Sequence, residues 1–357
     1  MSATVDVRRL DTAGEDAYER FVSAQPASLL YASLAFRNFL RRVTGEDDRY
    51  LVAVEDGDVV GVLPAFLQHD RGRGAVLNSL PFFGSIGGVV ADPARADVAG
   101  ALLDAFDRVA DAARCISSTI ITSPLDADVS VHERRPHTFR DARTCQITPL
   151  PEAGADLGER LLAAFEDPRP RNIRKAIKSG VTVAERWDED AIRFLAGVHA
   201  GNIGALGGIS KPLNVFLAVP ECFSRDQYSV FVASRDGREV AALLAFFYNG
   251  TVEYFTPAVL HDERPNQPLS LIIFEAMQRA ARSGFRHWNW GGTWASQTTL
   301  YDFKKKWGAC DHPYFYFTTA DDAVLDRTRE DILAAHPYFY VCPFDALRSM
   351  PDRQVTS

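Results

Sequence analysis

Lysine is rare in this sequence, and half of the lysines stand together in the stretch YDFKKKWGAC. The chain contains six lysines against 33 arginines, and three of the six occupy positions 304–306. An ammonium on a flexible stem is a compact cation that suits a phosphate, or the negative charge that develops on a carbonyl oxygen during acyl transfer. Because arginine fills nearly every other basic position, the triplet favours chemistry over surface solubility.

The same stretch has a helical pattern. Leu300, Phe303 and Trp307 recur at intervals of three and four residues, which predicts a helix that packs through this apolar side. The three lysines cannot all lie on that side, so at least one ammonium points elsewhere. We single out Phe303 and Lys304, with Trp307 as an anchor. Lys305 and Lys306 would guide a polyanionic substrate.

A second basic cluster lies in RPRNIRKAIKSG. Its cations are spaced three and four residues apart and fall on one stripe of a predicted helix, while Ile173 and Ile177 fall on another. The basic residues of this stripe are Arg171, Arg174, Lys175 and Lys178. A phosphate-binding ridge and an ordinary solvated face both fit this spacing.

Glycines interrupt a tryptophan-rich strand end in HWNWGGTW. Gly291 and Gly292 would let the backbone approach a ligand closely, or would simply form a bulge or tight turn. The indole rings could stack on a base or a sugar, but such aromatic clusters are more often part of a core.

Composition excludes several classes of protein. With 357 residues, 46% of them hydrophobic, the chain can bury a large core, and two domains are expected. The five cysteines are scattered and share no metal-ligand spacing with the eight histidines, so neither disulfides nor a metal is expected. The scattered cysteines fit the reducing cytoplasm. We also expect a soluble protein, because no apolar run approaches the roughly 18 residues that span a bilayer.

Charge and motifs narrow the function further. A formal net charge of -8 argues against a protein that coats nucleic acid, although it allows a local basic groove. The sequence has no Walker A motif, no Rossmann glycine fingerprint and no GxSxG nucleophile elbow.

Two parts of the chain follow the same plan. Residues 50–68 and 228–255 each contain apolar runs joined by Asp-Gly, a strong hairpin signal. Each is followed by an amphipathic helix, at 96–114 and at 268–284, and then by a further strand. This order predicts a mixed α/β fold with two tandem copies of the GCN5-related N-acetyltransferase (GNAT) fold and a cleft between them. We predict domains at 1–160 and 161–330, with a C-terminal brace and tail at 331–357.

The motifs together resemble the Fem family of aminoacyl-tRNA-dependent transferases. The resemblance is carried by LPFFGSIGGVV (80–90), RNIRKAIKSGV (171–181), VEYFTPAV with the helix that follows it, and WNWGGTWASQTTLYDFKKKWGA (288–309). It extends over nearly the whole chain, and it is specific for the superfamily rather than for one substrate.

The resemblance implies roles for individual residues. The Phe-Lys pair of the family falls on Phe303 and Lys304, and it implies that Lys304 is catalytic, steadying the tRNA end or the charge of the tetrahedral intermediate. Tyr254 is implied near the acceptor, and Arg37 or Arg41 would grip a phosphorylated acceptor. The remaining candidates for substrate binding are Lys305, Arg171, Arg174, Lys175, Gly291 and Gly292, and Lys211 is nearest to a second acceptor-gripping arginine.

The leading hypothesis is an N-acyltransferase. It would move an aminoacyl group from aminoacyl-tRNA to an amine of a peptidoglycan-type envelope precursor or of a small natural-product intermediate, without a cofactor. One alternative is an acyl-CoA-dependent GNAT enzyme that acts on an amino sugar or polysaccharide unit. The segments before the two helices, GVVADPAR and HDERPNQP, lack the glycines of a pyrophosphate loop and disfavour it. A non-catalytic binding protein is a further alternative.

Overall fold

The computed structural model describes residues 5–82, 85–126, 128–294 and 296–348. These residues form two compact units. Unit 1 comprises the described residues up to Arg143 together with those from Pro313 onward, and unit 2 runs from Thr144 to His312.

The first unit begins with the strand β1 (Asp6–Arg9) and two helices, α1 (Glu15–Ala24) and α2 (Leu34–Thr44). Six strands come next: β2 (Asp47–Asp48), β3 (Leu51–Glu55), β4 (Asp58–Leu63), β5 (Phe66–Gln68), β6 (Ala75–Asn78) and β7 (Val90–Ala91). They are followed by α3 (Ala96–Ala112), β8 (Cys115–Ile121) and α4 (Ser130–Arg134). The strand β9 (Phe139–Pro149) starts in unit 1 and ends in unit 2.

The second unit continues with α5 (Leu157–Ala164), α6 (Arg169–Lys178), β10 (Thr182–Arg186), α7 (Glu189–Gly204), α8 (Leu213–Leu217) and α9 (Val219–Cys222). Its later elements are β11 (Tyr228–Arg235), β12 (Arg238–Tyr248), β13 (Thr251–Val259), α10 (Pro268–Arg282), β14 (His287–Thr293) and α11 (Thr298–Lys305). The strand β15 (Cys310–Ala320) starts in unit 2 and returns the chain to unit 1, where α12 (Arg329–Ala335) follows.

Strands of unit 1 pair in two groups. β1, β3, β4 and β7 form an antiparallel sheet in that order. In the other group β8 is parallel to β6 and antiparallel to β15, while β5 joins β6 to β2. The helix α3 buries Val98, Leu102 and Phe106, spaced four residues apart, in the core with strand residues such as Leu51 and Leu63.

Unit 2 is built on the order β10-β11-β12-β13-β14. β14 is parallel to β13 and antiparallel to the part of β9 that lies in this unit. The helix α10 buries Leu271, Ile272 and Met277 in a core that also contains Trp288 and Trp307. Ridges of apolar side chains on α10 thus fix the sheet that carries the Trp-Gly motif.

The predicted hairpins are confirmed, and their turns explain why the signal was strong. The turn residues are Asp56-Gly57, Asp236-Gly237 and Asn249-Gly250, and all six have positive φ. Two consecutive residues with positive φ define the type I′ turn, whose twist matches that of paired strands. In both units a long helix and then a strand follow the hairpins, although β5, β6 and β7 come between the hairpin and α3 in unit 1. The mixed α/β fold and its repeated plan are therefore confirmed as well.

The compact units do not follow the predicted domain boundaries at 160 and 330. Unit 2 already begins at Thr144, and the chain re-enters unit 1 at Pro313 because β15 pairs with β8 over Tyr316–Ala320. The C-terminal segment is held there by two hydrogen bonds between Asn78 and Tyr340 and by one from Ser117 to the carbonyl of Val341. The described part of the predicted brace therefore belongs to unit 1.

Among the helices that the structure describes, none has both the length and the apolar character required to cross a bilayer.

Candidate active site

Lys304 is almost completely buried in unit 2. Its side chain is 4% exposed, and Nζ donates to the carbonyl oxygens of Gly291 and Gly292, each at 3.0 Å, and to Oγ1 of Thr293 at 2.8 Å. Burial lowers the pKa of Lys304 to about 8, so the ammonium is still protonated at neutral pH. Its three N–H groups thus have three acceptors, and Lys304 binds the backbone of β14 tightly.

A bulge in β14 brings these acceptors together. The pairing of β14 with β9 shifts register between Asn289 and Gly292, and Gly291 has a φ of 72°, which glycine adopts without strain. The side chain of Asn289 accepts from the Gly291 amide at 2.8 Å and donates to Glu253 at 3.2 Å. The two glycines were predicted to allow a ligand or a bulge, and they form a bulge whose carbonyls face Lys304.

An aromatic cluster surrounds the bulge. The ring of Trp290 lies 4.8 Å from Tyr254, 5.8 Å from Trp307 and 6.1 Å from Phe303. Nε1 of Trp290 also donates to Thr148 at 2.9 Å. Burial raises the pKa of Tyr254, so its hydroxyl keeps its proton across the physiological range. The predicted candidates Tyr254 and Phe303 thus lie in one neighbourhood.

Arg169 joins this neighbourhood and was not predicted. Its guanidinium lies 4.2 Å above the ring of Phe303 and 5.4 Å from that of Trp307, and it donates to the Phe303 carbonyl at 3.1 Å. The side chain is buried, burial lowers its pKa, and its Nε has no partner among the described residues. The sequence contained one signal: Arg169 directly precedes Pro170, at the start of a helix where arginine could face a neighbouring pocket.

A cavity of about 160 Å³ opens beside Arg169 at the N-terminus of α10. Its walls include Arg169 and Phe303, and also Arg264, Gln267 and Pro268. Gln267 has a φ of 60° and turns the chain into the helix, so the turn forms without the glycine that such a loop usually carries. First-turn N–H groups and two guanidinium groups together favour an anion in this cavity.

The basic stripe of α6 is exposed. Arg171, Arg174, Lys175 and Lys178 all lie on the surface, and none of them forms an ion pair within the described part of the chain. Arg171 is two residues from Arg169, about 3 Å along the helix axis. The predicted apolar stripe needs a correction, because Ile177 is 56% exposed and Ala176 is buried beside Ile173 instead. The buried residues of α6 are Arg169, Ile173 and Ala176, so the buried stripe runs through these positions and Ile177 lies at its edge.

Three other candidates lie apart from this neighbourhood. Arg37 is in unit 1, buried, and paired with Glu15 at 2.7 Å. Lys305 pairs with Asp311 at 3.5 Å at the surface. Lys211 donates weakly to Thr256 at 3.4 Å, and burial lowers its pKa to about 8. The substrate-binding roles predicted for these residues stay predictions.

No group of three or more His, Cys, Asp or Glu side chains suited to a metal ion occurs in the described ranges.

A domain family matches the part of unit 2 that contains these residues. Residues 169–305 match the model of the acetyltransferase (GNAT) domain. This segment is similar in sequence to a GNAT domain. It begins at Arg169 and ends at Lys305, and so contains the cavity, the bulge and the Phe-Lys pair. No curated protein sequence matches the chain.

Several solved structures have a similar fold over most of the chain. FemX superposes with a TM-score of 0.71 at 16% identity, covering 87% of this chain and 97% of FemX. The C-terminal domain of a protein described as a lysylphosphatidylglycerol synthetase from Agrobacterium fabrum gives a TM-score of 0.55 at 14% identity, covering 90% and 96%. A tandem GNAT protein from the clavulanic acid biosynthesis pathway gives 0.53 at 12% identity, covering 88% and 98%. The predicted Fem-like, tandem-GNAT fold is confirmed.

Proposed function

We propose that this protein is an N-acyltransferase that moves an aminoacyl group from aminoacyl-tRNA to an amine. The acceptor amine would belong to a peptidoglycan-type envelope precursor or to a small natural-product intermediate. The GNAT domain at 169–305 supports acyl transfer, and the likeness to FemX supports a Fem-like enzyme. The cytoplasm, where charged tRNA is present, is the compartment in which we expect it to act.

The observation that carries the proposal is the arrangement of cations around the start of α6. Arg169 and Arg264 line the cavity at the N-terminus of α10, where a terminal phosphate would be favoured. On the solvent side of α6, the exposed cations begin at Arg171 and continue to Lys178. A polyanion that extends beyond the cavity can use both sets, whereas a small anionic substrate can use only the first.

Transfer requires one bond to form and one to break. The acceptor nitrogen attacks the carbonyl carbon of the aminoacyl ester, and the C–O bond to the tRNA ribose then breaks. The ribose oxygen takes up the proton that the amine loses, so the atoms balance and the reaction needs no external oxidant or reductant. Positioning both substrates and stabilising the oxyanion of the intermediate would supply most of the rate enhancement.

With the contacts seen in this structure, Lys304 would position the bulge of β14 rather than touch the substrate. All three of its N–H groups are engaged, so it shapes the bulge that carries Trp290 rather than facing an open cavity. Direct stabilisation of the oxyanion by Lys304, as the Phe-Lys motif implies, would require the ammonium to leave one of these acceptors. The two roles predict different effects of replacing Lys304.

An acyl-CoA donor is the second candidate, and the cavity gives it a specific basis. Two guanidinium groups beside a helix N-terminus can also receive a diphosphate. The exposed stripe of α6 supports the tRNA donor of the two, because it favours the longer polyanion.

A donor assay tests the proposal. Purified protein would be incubated with labelled aminoacyl-tRNA or labelled acetyl-CoA and a panel of amines, with uncharged tRNA as a competitor. We expect amide product from charged tRNA, and a rise in the KM for this donor in Arg169→Gln. The matched control is Arg160→Gln on α5, whose arginine is more exposed and pairs with Asp156 at 3.1 Å.

Each other outcome contradicts the proposal in a different way. Product from acetyl-CoA alone would support the second candidate and refute the tRNA donor. No product from either donor, with tRNA still bound, would indicate a binding protein instead of an enzyme.

A further inference from the structure

Unit 1 contains a larger cavity that the proposed function does not use. It has a volume of about 370 Å³, within the usual range for sites that hold small molecules. The cavity lies where the strands of this unit diverge, because β7 pairs with β4 in one sheet while β8 pairs with β6 in the other. Its walls come from the start of α3, from residues 86–92, and from the segment after β8.

Most of the lining is apolar. Ile86, Val89, Ala99, Leu125 and Val131 contribute to the walls. A Cβ on Gly88 would lie 3.2 Å from the carbonyl oxygen of Ile121, which shows how closely this loop approaches the end of β8. An aliphatic group would therefore be well accommodated in the cavity.

His132 is the first polar group that lacks a partner there. Its side chain lines the cavity and is 5% exposed, and neither ring nitrogen has a hydrogen-bond partner among the described residues. The ring stacks on Phe317 at 5.9 Å. Burial, with a smaller contribution from Arg135, lowers the pKa of His132 to about 4, so the imidazole is neutral. Both ring nitrogens are shielded from solvent, so His132 adds an uncharged aromatic surface to the wall.

Asp126 is the second polar group of the wall, and it lacks a counter-charge. Its Oδ2 accepts from the Ser123 amide at 3.1 Å, and no described cation forms an ion pair with it. Burial raises the pKa of this carboxyl to about 7, as expected for a carboxylate that lacks a counter-charge. An incoming cation would restore its ionised form.

The other charges around the cavity also favour a cation. Asp92 and Asp128 lie in the lining, and the one basic residue that borders it within the described ranges, Arg95, already pairs with Glu55 at 3.0 Å and with Asp97 at 2.9 Å. An anionic ligand would meet this acidic surface, although the N-terminus of α3 contributes some positive potential. A phosphate-bearing ligand is therefore disfavoured in this cavity.

We propose that the cavity of unit 1 binds a primary aliphatic amine, with the ammonium at Asp126 and the alkyl chain against the apolar walls. An ammonium donates hydrogen bonds and accepts none, which matches a carboxylate that has no counter-charge. The proposal does not depend on acyl transfer, because binding alone would satisfy it.

Calorimetric titration of the full chain tests this site. The probes are butylamine, hexylamine and octylamine, with hexanol and hexanoate as isosteric controls. We expect the amines to bind, with affinity rising about fourfold for each added methylene until the chain fills the cavity. Hexanol should bind at least tenfold more weakly than hexylamine, and hexanoate should not bind measurably.

Variants locate the amine in the cavity. Asp126→Asn should weaken hexylamine binding by about 10- to 100-fold, since an amide cannot form the charged hydrogen bond. Asp104→Asn removes a similar carboxylate from the exposed side of α3 and should leave binding unchanged. Near-UV circular dichroism would check that each variant is folded.

Three results would overturn the proposal. The first is equal affinity for hexylamine in Asp126→Asn and the unaltered protein, the second is hexanoate binding as tightly as hexylamine, and the third is no detectable binding of any of the three amines at millimolar concentration.

Discussion

Replacing Lys304 by methionine separates the two roles that this residue could have. Methionine has a similar length and keeps the packing of the stem, but it removes all three hydrogen bonds to Gly291, Gly292 and Thr293. The bulge of β14 would then contain carbonyl and hydroxyl oxygens that face an apolar side chain. If Lys304 holds this bulge together, the variant must be less stable.

The size of the effect follows from the geometry. Hydrogen bonds from a charged group contribute about 1.5 to 3 kcal/mol each, and the cost of burying the ammonium offsets part of that gain. The bond to Thr293 is buried, whereas the two glycine carbonyls are only partly buried and can recover some hydration. We expect Lys304→Met to lower the free energy of unfolding by about 2 to 4 kcal/mol.

Urea unfolding followed by tryptophan fluorescence measures this difference, with the slope of the transition compared between variants. The matched control is Lys305→Met, one residue along. Lys305 pairs with Asp311 at 3.5 Å, and both side chains are about two-fifths exposed, so its loss should cost less than about 1 kcal/mol.

Activity provides the second readout. A group that acts directly on the oxyanion contributes about 10²- to 10³-fold to turnover, so loss of that factor with stability unchanged would support the catalytic role predicted from the Phe-Lys pair. An unfolding midpoint equal to that of the unaltered protein would refute the positioning role. Full stability together with full activity would remove Lys304 from both.

Two further variants, each with its own control, test features of unit 2. Changing Arg171, Arg174 and Lys175 together to alanine should weaken tRNA binding and reduce the salt slope by about 0.7 to 0.9 for each phosphate that the variant no longer neutralises, measured by filter binding at several salt concentrations. Arg193→Ala, which removes an arginine paired with Glu189, is the control, and an unchanged slope would show that the α6 stripe is only a solvated face. Gly291→Ala should cost about 1 to 2 kcal/mol in a urea titration because φ is 72° there, even though the added Cβ would meet no described side chain within 4 Å. Gly197→Ala, in the exposed middle of α7, should instead stabilise the protein slightly, and an equal response of the two glycines would contradict the strain argument.

Local signals predicted much of the fold. Asp-Gly and Asn-Gly adopt positive φ readily, so each hairpin could be placed from two residues. The helix α10 begins at Pro268 and has Gly284 just beyond its end, both as predicted. These features depend on a few neighbouring residues, and sequence alone contains them.

Long-range pairing explains what could not be predicted. The return of the chain to unit 1 depends on pairing between β15 and β8, about 200 residues apart, and no local pattern indicates that register. Arg169 was missed for a similar reason: its partner, Phe303, is 134 residues away along the chain. The cations of α6 lie along one exposed stripe, as helix geometry predicts. Ile177 was expected on the apolar side but is exposed, because hydrophobicity alone does not determine burial.

The structure also explains why lysine is retained at position 304 in a chain that otherwise uses arginine. Three acceptors converge on one point at 2.8 to 3.0 Å, and an ammonium is a point charge with three N–H groups directed away from its stem. A guanidinium is a planar fork about as wide as a carboxylate, and it cannot donate to three oxygens that surround a single position. The bulge that creates this point also positions Trp290, whose ring contacts Phe303, and Phe303 in turn supports Arg169 at the cavity. Lysine at this position therefore supports the placement of Arg169 beside the cavity, through the contacts of Trp290 and Phe303 within one unit.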